Sequence, residues 1–167
     1  MNTHVLEHNG GSTVVSIGGN RGRWAFDRPL RNRDGKERWG LMLWALPPGF
    51  DDKVPVKDLP LTEFLQAGGS AEAMSLQIKK PGGQQWGAEY VKYAVGHPHP
   101  DEEKPAVDIT IKLPQETLWV TKFEVFDAEE AADLFYTYYT TGDIPSDYTL
   151  RPLEAYTADR RIIDIPA

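Results

Sequence analysis

Only one stretch of this chain, Asp127 to Gly142, carries both the period of a helix and its start and stop signals. Ala128, Ala131, Ala132, Phe135, Tyr138 and Tyr139 recur at helical spacing and form one apolar stripe. Asp127 is placed to accept the amide hydrogen of Glu130, whose own carboxylate can reach back in a capping box. Acidic residues crowd the first turn, where the helix dipole favours them. Gly142 supplies the stop and Pro145 prevents resumption. Almost everything else with a pattern reads as strand. The chain is therefore expected to be α+β, a largely antiparallel sheet of about seven strands with one main C-terminal helix packed on one face.

The strand candidates are set off by glycine and proline. Ser12 to Gly18 is rich in β-branched residues, and Gly19 to Gly22 suggests a turn into a returning strand at Arg23 to Phe26. Arg31 to Lys36 reads as a polar turn with Asp34-Gly35 at its tip. Arg38 to Leu46 is an apolar strand stopped by Pro47-Pro48-Gly49. Asp51 to Pro60 reads as a loop, and Leu61 to Gln66 as a short helix ended by Ala67-Gly68-Gly69. Ala73 to Lys79 alternates loosely. Trp86 to Val95 is a long strand with no cleanly polar face, which places it inside the sheet. Val107 to Leu113 alternates well, Thr117 to Phe126 continues as strand, Tyr148 to Tyr156 is a further strand, and Arg160 to Pro166 is a tail or edge strand.

The 167 residues suit one domain, and with 40% hydrophobic and 26% charged residues the mixture is a globular one. A formal net charge of −7 disfavours nucleic acid or an anionic membrane as partner and favours a basic one. The absence of cysteine excludes disulfides, thiolate nucleophiles and Cys-ligated zinc. The first residues, Met1 to His8, have neither a basic start nor an apolar run, and no stretch approaches the ~20 apolar residues of a membrane helix. A cytoplasmic location is the expectation.

Candidate chemistry is sparse. Gly18-Gly19-Asn20-Arg21-Gly22-Arg23 has the composition of a phosphate loop, but its spacing fits no phosphate-binding pattern and it opens no predicted helix. His97-Pro98-His99 followed by Asp101, Glu102 and Glu103 is the one metal-like cluster, and its stiff, proline-flanked form favours a solvated loop. His4 and His8 would share a ligand only on a helix. The carboxylate pairs Asp51-Asp52, Glu102-Glu103 and Glu129-Glu130 show nothing by adjacency alone. No serine sits in a nucleophile elbow. No catalytic residue, cofactor or metal is assigned.

Charge is uneven along the chain. Arg21, Arg23, Arg28, Arg31, Arg33, Lys36 and Arg38 dominate one segment, whereas acidic side chains far outnumber Lys104, Lys112 and Lys122 between residues 101 and 147. Such asymmetry either steers a partner or pairs within the fold.

The stretch from Val107 to Glu154 (VDITIKLP, a second apolar strand ending at Phe126, DAEEAADLFYTYYTTGDIP, then YTLRPLEAY) resembles the small immunity proteins of bacterial polymorphic toxin systems, especially those that neutralise deaminase-type toxins. Gly10 to Gly19 is similar to the opening Gly-flanked strand of that family, while Arg151-Pro152 stands where the family has a closing Trp. The resemblance implies inhibition by occlusion. An acidic surface would cover a toxin's basic substrate groove, without catalysis or cofactor. Glu129, Asp133, Asp143 and Asp147 are the residues expected to form it, on the polar side of the helix or just beyond its end. Two other readings stand beside this one: a small-molecule-binding or enzymatic α+β domain with a Trp- and Tyr-lined pocket, and a secretion-accessory or structural protein held to a permanent partner.

Overall fold

The side-chain carbonyl of Asn9 accepts hydrogen bonds from the backbone amides of Trp39 (2.8 Å) and Gly40 (3.1 Å), tying the first turn of the chain to a strand that begins some thirty residues later. In the computed structural model, which describes residues 1–50, 54–59 and 61–165, this turn joins β1 (His4–His8) to β2 (Thr13–Ile17) as an antiparallel hairpin. The strand around Ser12 to Gly18 is therefore present, but its partner precedes it. The expected returning strand at Arg23 to Phe26 is instead the start of α1 (Trp24–Arg31). Helix wins there because Phe26 and Leu30, four apart, are both fully buried, and because Asp27 pairs with Arg31 at 3.0 Å and with Arg23 at 3.5 Å.

After Asp34 and Gly35 turn the chain, β3 (Gly40–Ala45), β4 (Phe64–Gly69), β5 (Met74–Pro81) and β6 (Tyr90–Gly96) follow as an antiparallel meander. The segment expected as a short helix at Leu61 to Gln66 lies partly in β4. Leu65 and Ala67 point to the main core while Phe64 and Gln66 point away, so the period is two, and ladders on both sides hold it. Gly68, read as a helix stop, is instead a close approach: a Cβ there would sit 3.3 Å from Leu113 Cδ1. The strand foreseen from Trp86 starts only at Tyr90, because Gln84–Trp86 forms a 3₁₀ turn, and a bulge follows at Lys92/Tyr93. The Asp51-Asp52 pair and Pro60 lie outside the described residues.

β7 (Ile109–Lys112) and β8 (Thr117–Val120) form a separate two-stranded hairpin. β8 is shorter than the expected run to Phe126, since the chain turns at Thr121–Glu124 before Phe126 bridges to Met74. α2 (Ala128–Thr141) then starts where the capping signals place it, with the Asp127 carboxylate accepting the Glu130 amide at 2.9 Å and Gly142 closing it in the left-handed conformation, φ 83°. β9 (Thr149–Tyr156) and the short edge strand β10 (Ile162–Ile163) complete the sheet.

The large sheet has eight strands in the order β10-β9-β6-β5-β4-β3-β1-β2, every pairing antiparallel. The fold is α+β, with this sheet, the small two-stranded sheet and two helices. α1 and α2 pack together on one face, where Phe26 meets Phe135 and Tyr139 at ring separations of 6.2 and 5.5 Å. Beneath them Leu6, Leu41, Leu43, Leu65, Leu76 and Ile78 form the main core. The opposite face is covered in part by the β7–β8 hairpin and by a smaller cluster around Val5, Trp44 and Phe64. What lies on the two faces separates the protein's two polar surfaces.

Candidate functional site

The amino-terminal half of α2 has its buried side against α1 and its polar side toward solvent and the start of β9. Glu129 and Asp133 are both exposed there. Arg23, just ahead of α1, lies against them: its Nε donates to the Asp133 carboxylate and its Nη2 to the Glu129 carbonyl oxygen at 2.7 Å. The Arg23 guanidinium is held above its ordinary pKa, first by the hydrogen bond to Asp133. Part of the charge asymmetry along the sequence is thus paired inside the fold.

Glu130 is the centre of a network that its sequence position does not announce. Its carboxylate does not return to Asp127 as a capping box would have it. Instead Oε1 lies 2.7 Å from His97 Nε2, and Oε2 accepts the Tyr148 hydroxyl at 2.7 Å. The His97 ring stacks on Phe126 with centroids 4.3 Å apart, and its Nδ1 lies 2.8 Å from the Phe123 carbonyl. Both ring nitrogens therefore face acceptors. Burial, then the hydrogen bond to Glu130, then the charges of Glu130, Asp147 and Asp133 push the Tyr148 phenol well above its ordinary pKa. Glu130, Asp133 and Asp147 thus converge on one phenol.

Of the four residues expected to form the surface, Asp133 and Asp147 share this patch and Glu129 borders it. Asp147 is exposed, and among the described residues neither it nor the Glu129 carboxylate has an ion-pair partner. Asp143 lies apart, about 20 Å from Glu129 along the helix at 1.5 Å per residue. Both its oxygens accept from Lys80 Nζ, at 2.9 and 2.8 Å. Partial burial pushes its carboxyl up, but the bonds from Lys80 and from the Ile144 amide prevail and hold it below the ordinary value.

No protein-family model, curated protein or solved structure matches the chain. Function must be argued from the geometry itself.

His97 and His99 do not act together: His99 stacks on Phe123 at 4.3 Å, while His97 is committed to Glu130. His4 and His8 stand at the two ends of β1. Among the described residues no three His, Asp or Glu side chains are arranged to hold a metal ion, and no helix is long and apolar enough to cross a membrane. What the patch offers is one carboxylate, Glu130, fixed by a phenol and an imidazole beside the exposed carboxylates of Glu129 and Asp147.

Proposed function

We propose that the protein is an immunity, antitoxin-like protein that binds a cognate bacterial toxin, or a similar basic protein partner, and occludes it through the acidic side of α2. The observation that carries this reading is the clamp on Glu130. His97 and Tyr148 fix the carboxylate from two sides, and exposed Glu129 and Asp147 flank it with no ion-pair partner among the described residues. The held Glu130 carboxylate loses little conformational freedom on binding, and the negative field of Glu129, Glu130 and Asp147 draws a basic groove toward it. The residues that resemble immunity proteins include α2 and the start of β9, which carry the patch. The net charge of −7 acts in the same direction.

The reading predicts a toxin gene immediately upstream, and the test is co-expression with that gene's product. Cells should survive with the native chain and lose protection with the double variant Glu129→Lys, Asp147→Lys. In a pull-down the variant should bind at least about tenfold more weakly at low salt, with a reduced salt dependence. Unchanged protection and unchanged salt dependence would remove the proposal.

A further inference from the structure

The β7–β8 hairpin lies on the face of the sheet that the helices leave free, and Ile111 and Leu118 mark its inner side. A Cβ on Gly69 would stand 3.1 Å from Ile111 Cγ2, and one on Gly68 3.8 Å from Leu118 Cδ1. By alternation Thr117 and Trp119 point outward, and Trp119 is 59% exposed. The Leu113 amide donates to the Glu116 carbonyl at 2.8 Å, which makes those two a bonded pair. Antiparallel ladders alternate, so Ile111–Leu118 and Ile109–Val120 are the next bonded pairs. The amides and carbonyls of Thr117 and Trp119 therefore point away from β7. Two contacts agree: Arg151 Nη2 reaches the Trp119 carbonyl from β9 at 3.4 Å, and the Thr121 amide, next in that series, donates to Glu124 Oε1 at 2.9 Å. Among the described residues nothing meets the Thr117 N–H, the Thr117 carbonyl or the Trp119 N–H.

This open edge borders a groove of about 310 Å³, at the lower end of the range for ligand sites. The whole run from Glu116 to Val120 lines it, as a strand does when its backbone edge faces the space. The floor is the free face of β5, β6 and β9. Register sets Gln77, Ala94 and Arg151 in one row there, with Lys92 opposite Glu154 in the next. Lys92 pairs with Glu154 at 3.8 Å and Arg151 with Glu124 at 2.9 Å, so an ionic ligand gains little. Gln66 Nε2 donates to Gln77 Oε1 at 2.6 Å, which leaves one carbonyl and one amino group of that pair open. A strand that brought its own folded sheet would press that sheet onto Lys92, Glu154 and Arg151 and strip them of water. A lone extended segment would not, since it needs only the width of one strand, about 4.8 Å.

We propose that the groove binds an extended, uncharged peptide segment of a partner protein as a third, antiparallel strand on β8. The residue opposite Thr117 exchanges both main-chain bonds with it, and the residue opposite Trp119 accepts a bond from the Trp119 N–H. That second residue shares the outer face with the indole, where an aromatic side chain packs across the strands. The residue between them points to the floor, where glutamine or asparagine meets the open groups of Gln66 and Gln77. The site is on the far side of the sheet from the acidic patch and does not depend on it.

The experiment is a titration of the ¹⁵N-labelled protein with the blocked peptide acetyl-Thr-Tyr-Gln-Val-Thr-amide at millimolar concentrations, followed by NMR. In antiparallel order its tyrosine falls opposite Trp119 and its valine opposite Thr117. Saturable downfield shifts are expected at the Thr117 and Trp119 backbone amides, with smaller ones at the Gln66 and Gln77 side chains. N-methylation of the peptide's valine, which removes a bonded N–H, should weaken binding at least about tenfold. N-methylation of its glutamine, whose N–H points away from β8, should change affinity less than about twofold. Thr117→Pro takes an outward N–H from the protein and no bond from the hairpin, so it should weaken binding about tenfold with little change in melting temperature. Absent shifts, equal effects of the two N-methylations, or full binding by Thr117→Pro would overturn the proposal. So would the same shifts appearing on raising protein concentration alone, which would make a second copy the occupant.

Discussion

Arg151 grips the carboxylate of Glu124 with two parallel hydrogen bonds, Nε to Oε2 and Nη2 to Oε1, both 2.9 Å long. The Thr121 amide adds a third to Oε1 at 2.9 Å, and Glu124 is only 4% exposed. Such a pair fixes geometry, and breaking it leaves a buried charge alone. Arg151→Ala should therefore destabilise the protein by about 2–4 kcal/mol, discounted from the fully buried case because the arginine is partly exposed. Replacing both partners, as Arg151→Met with Glu124→Gln, should cost clearly less. Urea midpoints of the three proteins check this.

The turn at Asn9 makes a second prediction. Its side-chain oxygen receives the Trp39 and Gly40 amides and Arg33 Nη1 at 3.3 Å, and its own backbone sits at φ 50°. Asn9→Ala removes all three bonds and places alanine in a left-handed conformation, so it should cost about 2–3 kcal/mol. Asn9→Asp keeps the acceptor and adds a charge beside the buried Arg33, so its loss should be under about 1 kcal/mol. Thermal melts separate the two.

Stability should fall on mild acidification. Burial lowers the pKa of His4, which packs on Tyr139 at 4.5 Å. Burial and then the charge of Arg33 lower that of His8. A histidine whose folded pKa lies below its unfolded 6.5 favours folding fully above that pH. The contribution drains away as pH falls through the folded values. Melting temperature should drop between about pH 7 and pH 5, and the double variant His4→Gln, His8→Gln should flatten that drop. A slope unchanged in the variant would contradict the assignment.

The strand β2 ends the sheet with its outer ladder open, and Val14 and Val15 on it are 44% and 43% exposed. It carries neither charge nor proline to guard it. Val14→Lys should reduce concentration-dependent self-association seen by light scattering, with stability changed by no more than about 0.5 kcal/mol.

The sequence made α2 legible because its limits are written locally: Asp127 caps it, Gly142 ends it, and the apolar stripe lies between. Val107 to Leu113 and Tyr148 to Tyr156 were legible as strands for the same reason. The structure departs from the local sequence pattern where tertiary packing decides. α1 forms because Phe26 and Leu30 find α2, and β4 forms because β3 and β5 flank it. β1 is short and polar at both ends, so it carries no strand signal without its neighbours. The acidic side of α2 could be read from helical spacing. The link from Glu130 to His97 and Tyr148 could not, since its members come from a loop, a helix and a turn that only the folded sheet brings together.

Gly96 and Thr149 stand opposite each other in adjacent strands, yet the chain between them departs to build the β7–β8 hairpin on one side of the sheet and α2 on the other. Closing so long a detour is an entropic burden that the neighbouring strands β3 to β6 do not carry, so they are expected to assemble first. The exposed bend at Asp101–Lys104 lies early in this detour. Severed there, the molecule becomes two complementary pieces whose reunion along the β6–β9 seam would report on encounter between whatever each is fused to.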